Sequence, residues 1–347
     1  AYFAGSLAFT VVCLALAAGY GWLRTGTLAG TASLLWIVVV LSILEVSLSF
    51  DNAVVNASVL EPMDALWRRR FLTWGMVIAV FGMRILFPLG IVAIAADLGP
   101  DDALRLSLNE PDRYEAIVSS AHVGIAGFGG AFLALVGLSF FFDEEKDVHW
   151  IRVVERALAR VSSIKAAEIG VLLLSLYGVS LLLDDEDALT FLIAGLMGTV
   201  AFIAVEAIGT LLAMREAAVQ TAGMAVRSGL AGFLYLNVLD ASFSFDGVIG
   251  AFALSNNMIV IALGLSIGAM FVRSLTIMLV EQGTLNAYRY LEHGAFWAIV
   301  VLAGIMLLSA RFAVPETITG LIGAALIAAS LAWSIRYRRR HPAAPAP

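Results

Sequence analysis

Cysteine and charged residues are scarce in this chain. Among its 347 residues the only cysteine is Cys13, so no internal disulfide can form. Metal sites built from thiolates need several cysteines, and that class of site is excluded too. Charged residues make up 14% of the chain, whereas a soluble domain has about a quarter. The composition therefore argues against a soluble globular protein.

Recognisable catalytic motifs are also absent. The chain has no nucleophile elbow, phosphate loop, HExxH or CxxC pattern, so no enzymatic activity is predicted. No charged stretch and no small-residue cleavage pattern comes before the first apolar run, which we expect to be a structural span rather than a signal peptide. The basic clusters are expected to set membrane topology, and nucleic acid is not an expected partner.

Long apolar runs dominate what is present. Hydrophobic residues make up 61% of the chain, and the mean hydropathy is +0.93. A helix needs about 20 apolar residues to cross a bilayer. Runs near this length cover residues 4–23, 31–60, 71–96, 123–142, 166–183, 189–213, 228–253, 258–280, 294–310 and 316–335. We therefore predict an all-α polytopic membrane protein of about ten transmembrane helices in a lipid bilayer.

The distribution of lysine and arginine predicts the orientation of these helices. Loops on one side hold 15 of the basic residues and loops on the other side hold 4, while Arg84 and Arg273 lie inside spans. Basic residues accumulate on the cytoplasmic side of membrane proteins. Both termini are therefore expected in the cytoplasm.

An acidic pattern occurs twice, each time inside an apolar run. Glu45 to Val54 reads EVSLSFDNAV, and Asp240 to Ile249 reads DASFSFDGVI. In each copy a carboxylate comes six residues before the Asp of a Ser-aromatic-Asp triplet. Carboxylates are costly inside a membrane unless a cation or a hydrogen-bond donor meets them. The repeated pattern therefore marks a candidate functional site.

The two copies belong to two related halves of opposite orientation. An in-span arginine follows each motif, and the loop count makes the first motif helix run inward and the second outward. Inverted repeats often place a substrate site near the membrane midplane, with broken or tilted helices supplying ligands. The predicted divisions are a first repeat at 1–165 with an amphipathic helix near 150–161, a connecting span and acidic loop at 166–188, a second repeat at 189–336, and a disordered tail at 337–347.

The motif residues supply oxygen ligands. On an ideal helix Glu45 and Asp51 are about 120° apart, so they either face different partners or the helix unwinds and turns both into one pocket. A hard, oxygen-rich set suits Mg²⁺, Ca²⁺ or Mn²⁺. The candidate metal ligands are Glu45, Asp51, Asp240, Asp246, Ser49, Asn52 and Ser244, with Arg84 and Arg273 as charge-balancing residues and Glu206 as a possible proton relay.

Charge balance supports a divalent ion but leaves an alternative open. If each in-span arginine pairs with one Asp, two of the four negative charges remain, which matches a divalent cation. Alternatively, all four acids are satisfied by arginine, serine and backbone donors, and no ion binds.

The motifs resemble those of the TerC family of bacterial membrane proteins, within the lysine-exporter-like transporter superfamily. The similar segments are EVSLSFDN at 45–52, DASFSFD at 240–246, Ser255-Asn256-Asn257 and Arg273. Two further segments, FFFDEEKDVHW at 140–150 and YLEHGAFWAI at 290–299, resemble the DUF475 branch more narrowly. The resemblance implies cation transport in a bacterial inner membrane, with manganese export as the activity of relatives and an older association with tellurite resistance. Gly247 departs from the family pattern, which has Ser after the second Asp.

Together these features predict an exporter of a hard divalent cation. Mn²⁺ is the expected substrate, carried by alternating access through a midplane carboxylate site, with proton antiport as a possible coupling. Ca²⁺/proton exchange and a membrane scaffold for tellurite or stress-resistance partners are the alternatives. Nothing in the sequence predicts the oligomeric state.

Overall fold

The computed structural model describes residues 2–75, 77–142, 148–161, 167–219, 229–252 and 254–340. Within these residues the chain is helical and has no strand, which confirms the predicted all-α class. The α-helices of the first half are α1 (Ala4–Thr25), α2 (Leu28–Leu48), α3 (Phe50–Leu60), α4 (Ala65–Arg70), α5 (Phe87–Ala95), α6 (Pro100–Asn109), α7 (Pro111–Ser120), α8 (His122–Phe141) and α9 (Arg152–Val161). Those of the second half are α10 (Ala167–Ser180), α11 (Asp185–Val219), α12 (Gly229–Phe252), α13 (Met258–Glu281), α14 (Thr284–Ala287), α15 (Leu291–Ser309) and α16 (Glu316–Arg340).

The predicted spans correspond to these helices. In the described part of the chain, eight helical stretches are long and apolar enough to cross a membrane. They are Ala4–Thr25, Leu28–Leu48, Ala65–Ile94, His122–Phe141, Asp185–Ile208, Met258–Glu281, Leu291–Ser309 and Ile318–Arg340. The predicted spans 166–183 and 228–253 correspond to the shorter helix α10 and to the motif helix α12. The protein is therefore a polytopic membrane protein.

The helices pack into two groups that share the motif helices. In one group α13 packs along α1 and α2, and Ser6 Oγ on α1 donates a hydrogen bond of 2.7 Å to the carbonyl oxygen of Met270. In the other group α8 packs along α11 and α15. The short helix α3 contacts both groups through α13 and α15. The first motif therefore lies where the two groups meet.

The first motif helix bends at Ser49. Helix α2 ends at Leu48 and α3 begins at Phe50, and Ser49 between them has φ −101° and ψ 19°. The backbone N–H of Ser49 still donates to the carbonyl oxygen of Glu45 at 3.0 Å, and that of Ala53 donates to Ser49 at 3.3 Å. The predicted break is thus a bend rather than an unwound segment. The second motif helix, α12, continues without a break.

The two motif helices run antiparallel where they meet. Asn56 on α3 contacts Asp240 on α12, whereas Glu45 lies beside Gly247, further along α12. Residue numbers therefore rise along one helix while they fall along the other. This is the relative orientation expected of two inverted copies. Apart from the tail at 337–347, the predicted domain divisions stay predictions.

Arg84 lies in a π-helical part of the third span. Two π-helical segments, Phe71–Gly75 and Ile78–Leu86, come between α4 and α5. The N–H of Phe87 accordingly donates to the carbonyl oxygen of Gly82, five residues earlier. π-Helical turns are rare and frequently occur at functional sites. Because a π-turn changes the angular position of each residue, Arg84 could not be placed on a face from α-helical spacing.

One predicted division differs from the structure. Helix α16 continues to Arg340, so residues 337–340 are helical rather than part of a disordered tail, and 341–347 lie outside the described residues. Basic side chains in the last turn, among them Arg338 and Arg339, interact favourably with the helix dipole. This interaction favours a helical conformation at this end of the chain.

Candidate functional site

Glu45 lies near the end of α2 and is buried. Its side chain is about 6% exposed, and its Oε1 forms an ion pair with Nη2 of Arg84. Ser49 Oγ donates a further hydrogen bond of 3.3 Å to the same oxygen. Arg84 Nη1 donates to the carbonyl oxygen of Ala79 at 2.8 Å. The pairing expected between each arginine and an Asp is therefore wrong for Arg84, whose partner is the glutamate.

Two glycines of α13 allow α2 to approach closely at Glu45. A Cβ atom at Gly268 would lie 2.4 Å from both Cβ and Cγ of Glu45, and one at Gly264 would lie 2.6 Å from Cβ of Leu41. Both distances are too short for a non-bonded carbon pair. The two glycines form a G-x-x-x-G pattern, GLSIG, which permits close helix contact in membranes. The pattern was a visible signal that the sequence analysis missed.

Gly247 brings the second motif helix against the same carboxylate. A Cβ atom at this position would lie 3.0 Å from Oε2 of Glu45. A serine at this position would thus add atoms beside this oxygen. Glu45 is consequently surrounded by α12, α13 and the π-helical segment that carries Arg84.

Asp240 and Asn56 connect the two motif helices. Asn56 Nδ2 donates a hydrogen bond of 3.1 Å to Asp240 Oδ1, and Asp240 lies within electrostatic range of Glu45 and Arg84. The Oδ1 atoms of Asn52 and Asn56 are buried and have no hydrogen-bond partner among the described residues. Buried polar atoms are normally satisfied by a protein group, water or an ion. These two amide oxygens are therefore available to a cation or to water.

Two cavities meet at the first motif. The Asp240 cavity holds about 50 Å³ and is lined by Glu45, Ser49, Asn52, Asn56, Phe71, Gly75, Ala79, Arg84, Asp240, Ala269, Val272, Arg273 and Thr276. The Asp51 cavity holds about 650 Å³, and its polar lining includes Glu45, Ser49, Asp51, Asn52, Ser119, His122, Ser309 and Thr319. Three side chains, those of Glu45, Ser49 and Asn52, line both cavities. They form the partition between them.

Asp51 is separated from Asp240. It is 6% exposed and lines the second cavity but not the first, which Asp240 lines. A Cβ atom at Gly323 of α16 would lie 3.3 Å from Asp51 Oδ2. The bend at Ser49 keeps helical hydrogen bonds, so the helix does not unwind there. Glu45 and Asp51 nevertheless line the same larger cavity, whereas Asp51 and Asp240 line different cavities.

The remaining predicted residues are not all described. The side chains of Ser244 and Asp246 lie outside the described residues, although both positions belong to α12. Arg273 lines the Asp240 cavity and has an interaction partner. Glu206 is exposed on α11 and lines neither cavity, so its relay role stays a prediction.

The described residues do not form a carboxylate-only metal site. Among the side chains that the structure describes, no three from His, Cys, Asp and Glu gather closely enough to hold a metal ion. The oxygens that do converge are of mixed type: carboxylate from Glu45 and Asp240, amide from Asn52 and Asn56, and hydroxyl from Ser49. Hard divalent cations accept such mixed sets. The arrangement is suited to transient binding of a partly hydrated cation.

Comparison with known proteins identifies one family. The family model described as "Protein of unknown function (DUF475)" matches residues 50–341. The match covers most of the chain and begins just after Ser49, within the first motif. No curated protein matches the chain, and no solved structure matches it.

Proposed function

Because the chain belongs to the DUF475 family of proteins of unknown function, we propose its activity from the site itself: membrane transport of a hard divalent cation. The observation that carries the proposal is the partition formed by Glu45, Ser49 and Asn52, which line both cavities. A transporter with alternating access needs one binding site that can be reached from two sides. These three residues have that position.

The chemistry of the partition favours a cation. Its ligand atoms are carboxylate, hydroxyl and amide oxygens, and the buried Oδ1 of Asn52 and Oδ1 of Asn56 have no donor among the described residues. The carboxylates of Glu45 and Asp240 attract a cation, and Arg84 and Arg273 of the same cavity balance these charges when no ion is bound. An apolar solute would leave the two amide oxygens unsatisfied. A hard divalent cation is a suitable partner for these carboxylate and amide oxygens.

Arg84 stabilises the site when no ion is bound. Its ion pair with Glu45 neutralises a buried carboxylate that would otherwise be costly in the membrane. An arriving cation would compete with the guanidinium for Glu45, and Arg84 would return when the ion leaves. Protonation of Asp51 or Asp240 on the return step would give cation/proton antiport.

We propose export as the direction of transport. With the predicted topology, the Asp240 cavity would face the cytoplasm and the larger Asp51 cavity would face the outside. The ion would enter beside Asp240, pass the partition and leave beside Asp51. We propose Mn²⁺ as the substrate, since the motifs resemble those of the TerC family, in which manganese export is the associated activity.

An anomalous-scattering map of Mn²⁺-soaked crystals tests the binding site. The expected result is a peak among Glu45, Asn52, Asn56 and Asp240. A Ca²⁺ soak that displaces this peak at equal concentration would favour calcium exchange. A map without any peak near the partition would contradict the proposal and would favour a membrane scaffold.

Flux into vesicles tests the transport itself. Asp51→Asn should abolish Mn²⁺ flux, since it removes the charge that receives the ion in the Asp51 cavity while keeping the side-chain shape. The matched control is Asp64→Asn, because Asp64 lies outside both cavities and caps α4 by accepting from Trp67 N at 2.8 Å. Wild-type Mn²⁺ flux in the Asp51→Asn protein would contradict the proposed cation transport.

A further inference from the structure

A third cavity lies far from the motif helices, at the end of the bundle where α16 ends. It holds about 430 Å³, a size typical of small-molecule sites. We call it the arginine pocket. It is formed where the start of α9, the turn before α15 and the last turns of α16 meet, and its lining residues are Arg152, Tyr290, Trp333, Arg336, Tyr337 and Arg340.

The arginine pocket is strongly basic. Three of its six lining side chains are arginines and none is acidic. Arg152, Arg336 and Arg340 are exposed and make no ion pair with any described residue. Arginine offers a planar fork of donors that matches phosphate oxygens in a bidentate geometry. The pocket is thus complementary to a phosphate group.

The aromatic wall of the pocket is held in place by internal contacts. The backbone N–H of Tyr290 donates to Ser334 Oγ at 2.9 Å, which fixes the turn before α15 against α16. The rings of Tyr290 and Tyr337 meet edge to face with centroids 5.8 Å apart. Arg289 lies 5.0 Å from the centroid of the Tyr337 ring and donates to its hydroxyl at 3.3 Å. The wall therefore exists before any ligand binds.

Exposed apolar side chains, one in the pocket and two next to Arg152 in the chain, indicate where the pocket lies in the membrane. Trp333 is 59% exposed, and on the neighbouring α9 Val153 is 85% and Val154 41% exposed. Tryptophan is enriched where the acyl chains meet the headgroups. By the predicted topology this is the cytoplasmic boundary of the bilayer. A ligand with both a phosphate and acyl chains would contact the arginines and these apolar side chains together.

We propose that the arginine pocket binds the phosphodiester headgroup of an anionic phospholipid. Arg152 joins α9 to the two arginines of α16, so a bound headgroup connects the surface helix to the end of the last span. Basic pockets between helices on the cytoplasmic side are suited to such headgroups. The pocket shares no lining residue with the two cavities of the proposed cation path.

Lipid titration of the purified full-length protein tests this site. Thermal unfolding in an uncharged detergent would be followed while phosphatidylglycerol, phosphatidylcholine or inorganic phosphate is added. Phosphatidylglycerol should raise the unfolding temperature in a saturable manner. Arg336→Gln, Arg340→Gln and Arg152→Gln should each raise the half-saturating concentration about fivefold. Arg339→Gln is the matched control, because Arg339 is exposed on the same helix end but lies outside the pocket.

The other outcomes overturn the proposal in different ways. Equal changes in the Arg339→Gln protein would mean that only overall charge matters. The same saturable shift with inorganic phosphate would identify a free anion as the ligand, and the same shift with phosphatidylcholine would remove any role for the net headgroup charge. The three target arginines are exposed, so the variants should unfold at the wild-type temperature before lipid is added.

Discussion

Asn56 on the first motif helix donates a hydrogen bond of 3.1 Å to Asp240 on the second, across 184 residues of sequence. The pair connects the two antiparallel motif helices beside the smaller cavity. The second polar atom of the same amide, Asn56 Oδ1, is buried without a partner among the described residues. One side chain thus orients an acid and offers an oxygen to the proposed ion.

Replacing Asn56 tests whether this side chain contributes to ion transport. Asn56→Leu keeps a similar volume but removes the donor to Asp240 and the unpaired oxygen, so we expect Mn²⁺ flux to fall at least about tenfold, the effect of losing about 1.4 kcal/mol of ion binding. Flux into vesicles at several Mn²⁺ concentrations measures the change. Ser58→Ala is the control on the same helix, because Ser58 Oγ bonds only to the carbonyl oxygen of Val55 among the described groups. Unchanged flux in Asn56→Leu would exclude Asn56 from the ion path.

Removing one partner of the Glu45–Arg84 ion pair should destabilise the protein. Arg84→Gln leaves Glu45 buried without its cation, so we expect a loss of about 3–5 kcal/mol in the free energy of unfolding. The double variant Glu45→Gln/Arg84→Gln removes both charges and should recover most of this loss. Thermal or denaturant unfolding of the purified proteins measures both.

An exposed ion pair provides the control for that experiment. Arg113 and Glu110 are 3.4 Å apart and more than half exposed. Exposed pairs contribute about 0–1 kcal/mol, so Arg113→Gln should change stability little. A double variant at 45 and 84 that is no more stable than Arg84→Gln would contradict the expectation that Glu45 is costly once its cation is removed.

Gly268 should not tolerate a side chain. A Cβ atom there would lie 2.4 Å from the Glu45 side chain, and Gly268→Ala therefore has to separate α13 from α2 or displace Glu45. We expect a loss of about 1–3 kcal/mol in stability, as for overpacked cores, together with reduced flux. Gly304→Ala on α15 is the matched control, since a Cβ atom at Gly304 meets nothing within 4 Å. Equal stability of the two variants would disprove the close helix contact.

Glu155 attaches the surface helix α9 to the bundle. It is 2% exposed and accepts hydrogen bonds from the backbone N–H groups of Trp150 and Ile151, and from Nε1 of Trp297 on α15 at 2.9 Å. Trp297→Phe keeps the aromatic ring but removes this donor. We expect amide hydrogen exchange in α9 to become faster by about 5- to 10-fold, the factor for one hydrogen bond of about 1–1.5 kcal/mol.

Trp36 provides the control for the Trp297→Phe experiment. Trp36 is 68% exposed and makes no hydrogen bond through its side chain to a described residue. Trp36→Phe should leave exchange in α9 unchanged. Equal exchange in the wild-type and Trp297→Phe proteins would mean that α9 is held by its apolar contacts, including those of Leu158.

The membrane-spanning helices and the oxygen-rich motif could be predicted because both depend on local sequence. Apolar runs must become helices in a bilayer, since every backbone polar group needs an internal partner. The angle between Glu45 and Asp51 was predictable from helix geometry, and the hydrogen bonding at Ser49 shows that the helix stays nearly regular between them. That both residues line the larger cavity was not predictable, because packing between distant helices forms that cavity.

The sequence by itself determined the class of protein, the helices and the oxygen ligands, because length, hydrophobicity and ligand type belong to each segment separately. Only the tertiary structure decided that Arg84 pairs with Glu45 and that Asp51 and Asp240 line different cavities. The close packing of Glu45 against Gly268 was likewise decided only there. In a membrane the lipid-facing and buried sides of a helix are both apolar, so the hydrophobic pattern does not indicate which faces meet. That choice depends on close packing between distant segments.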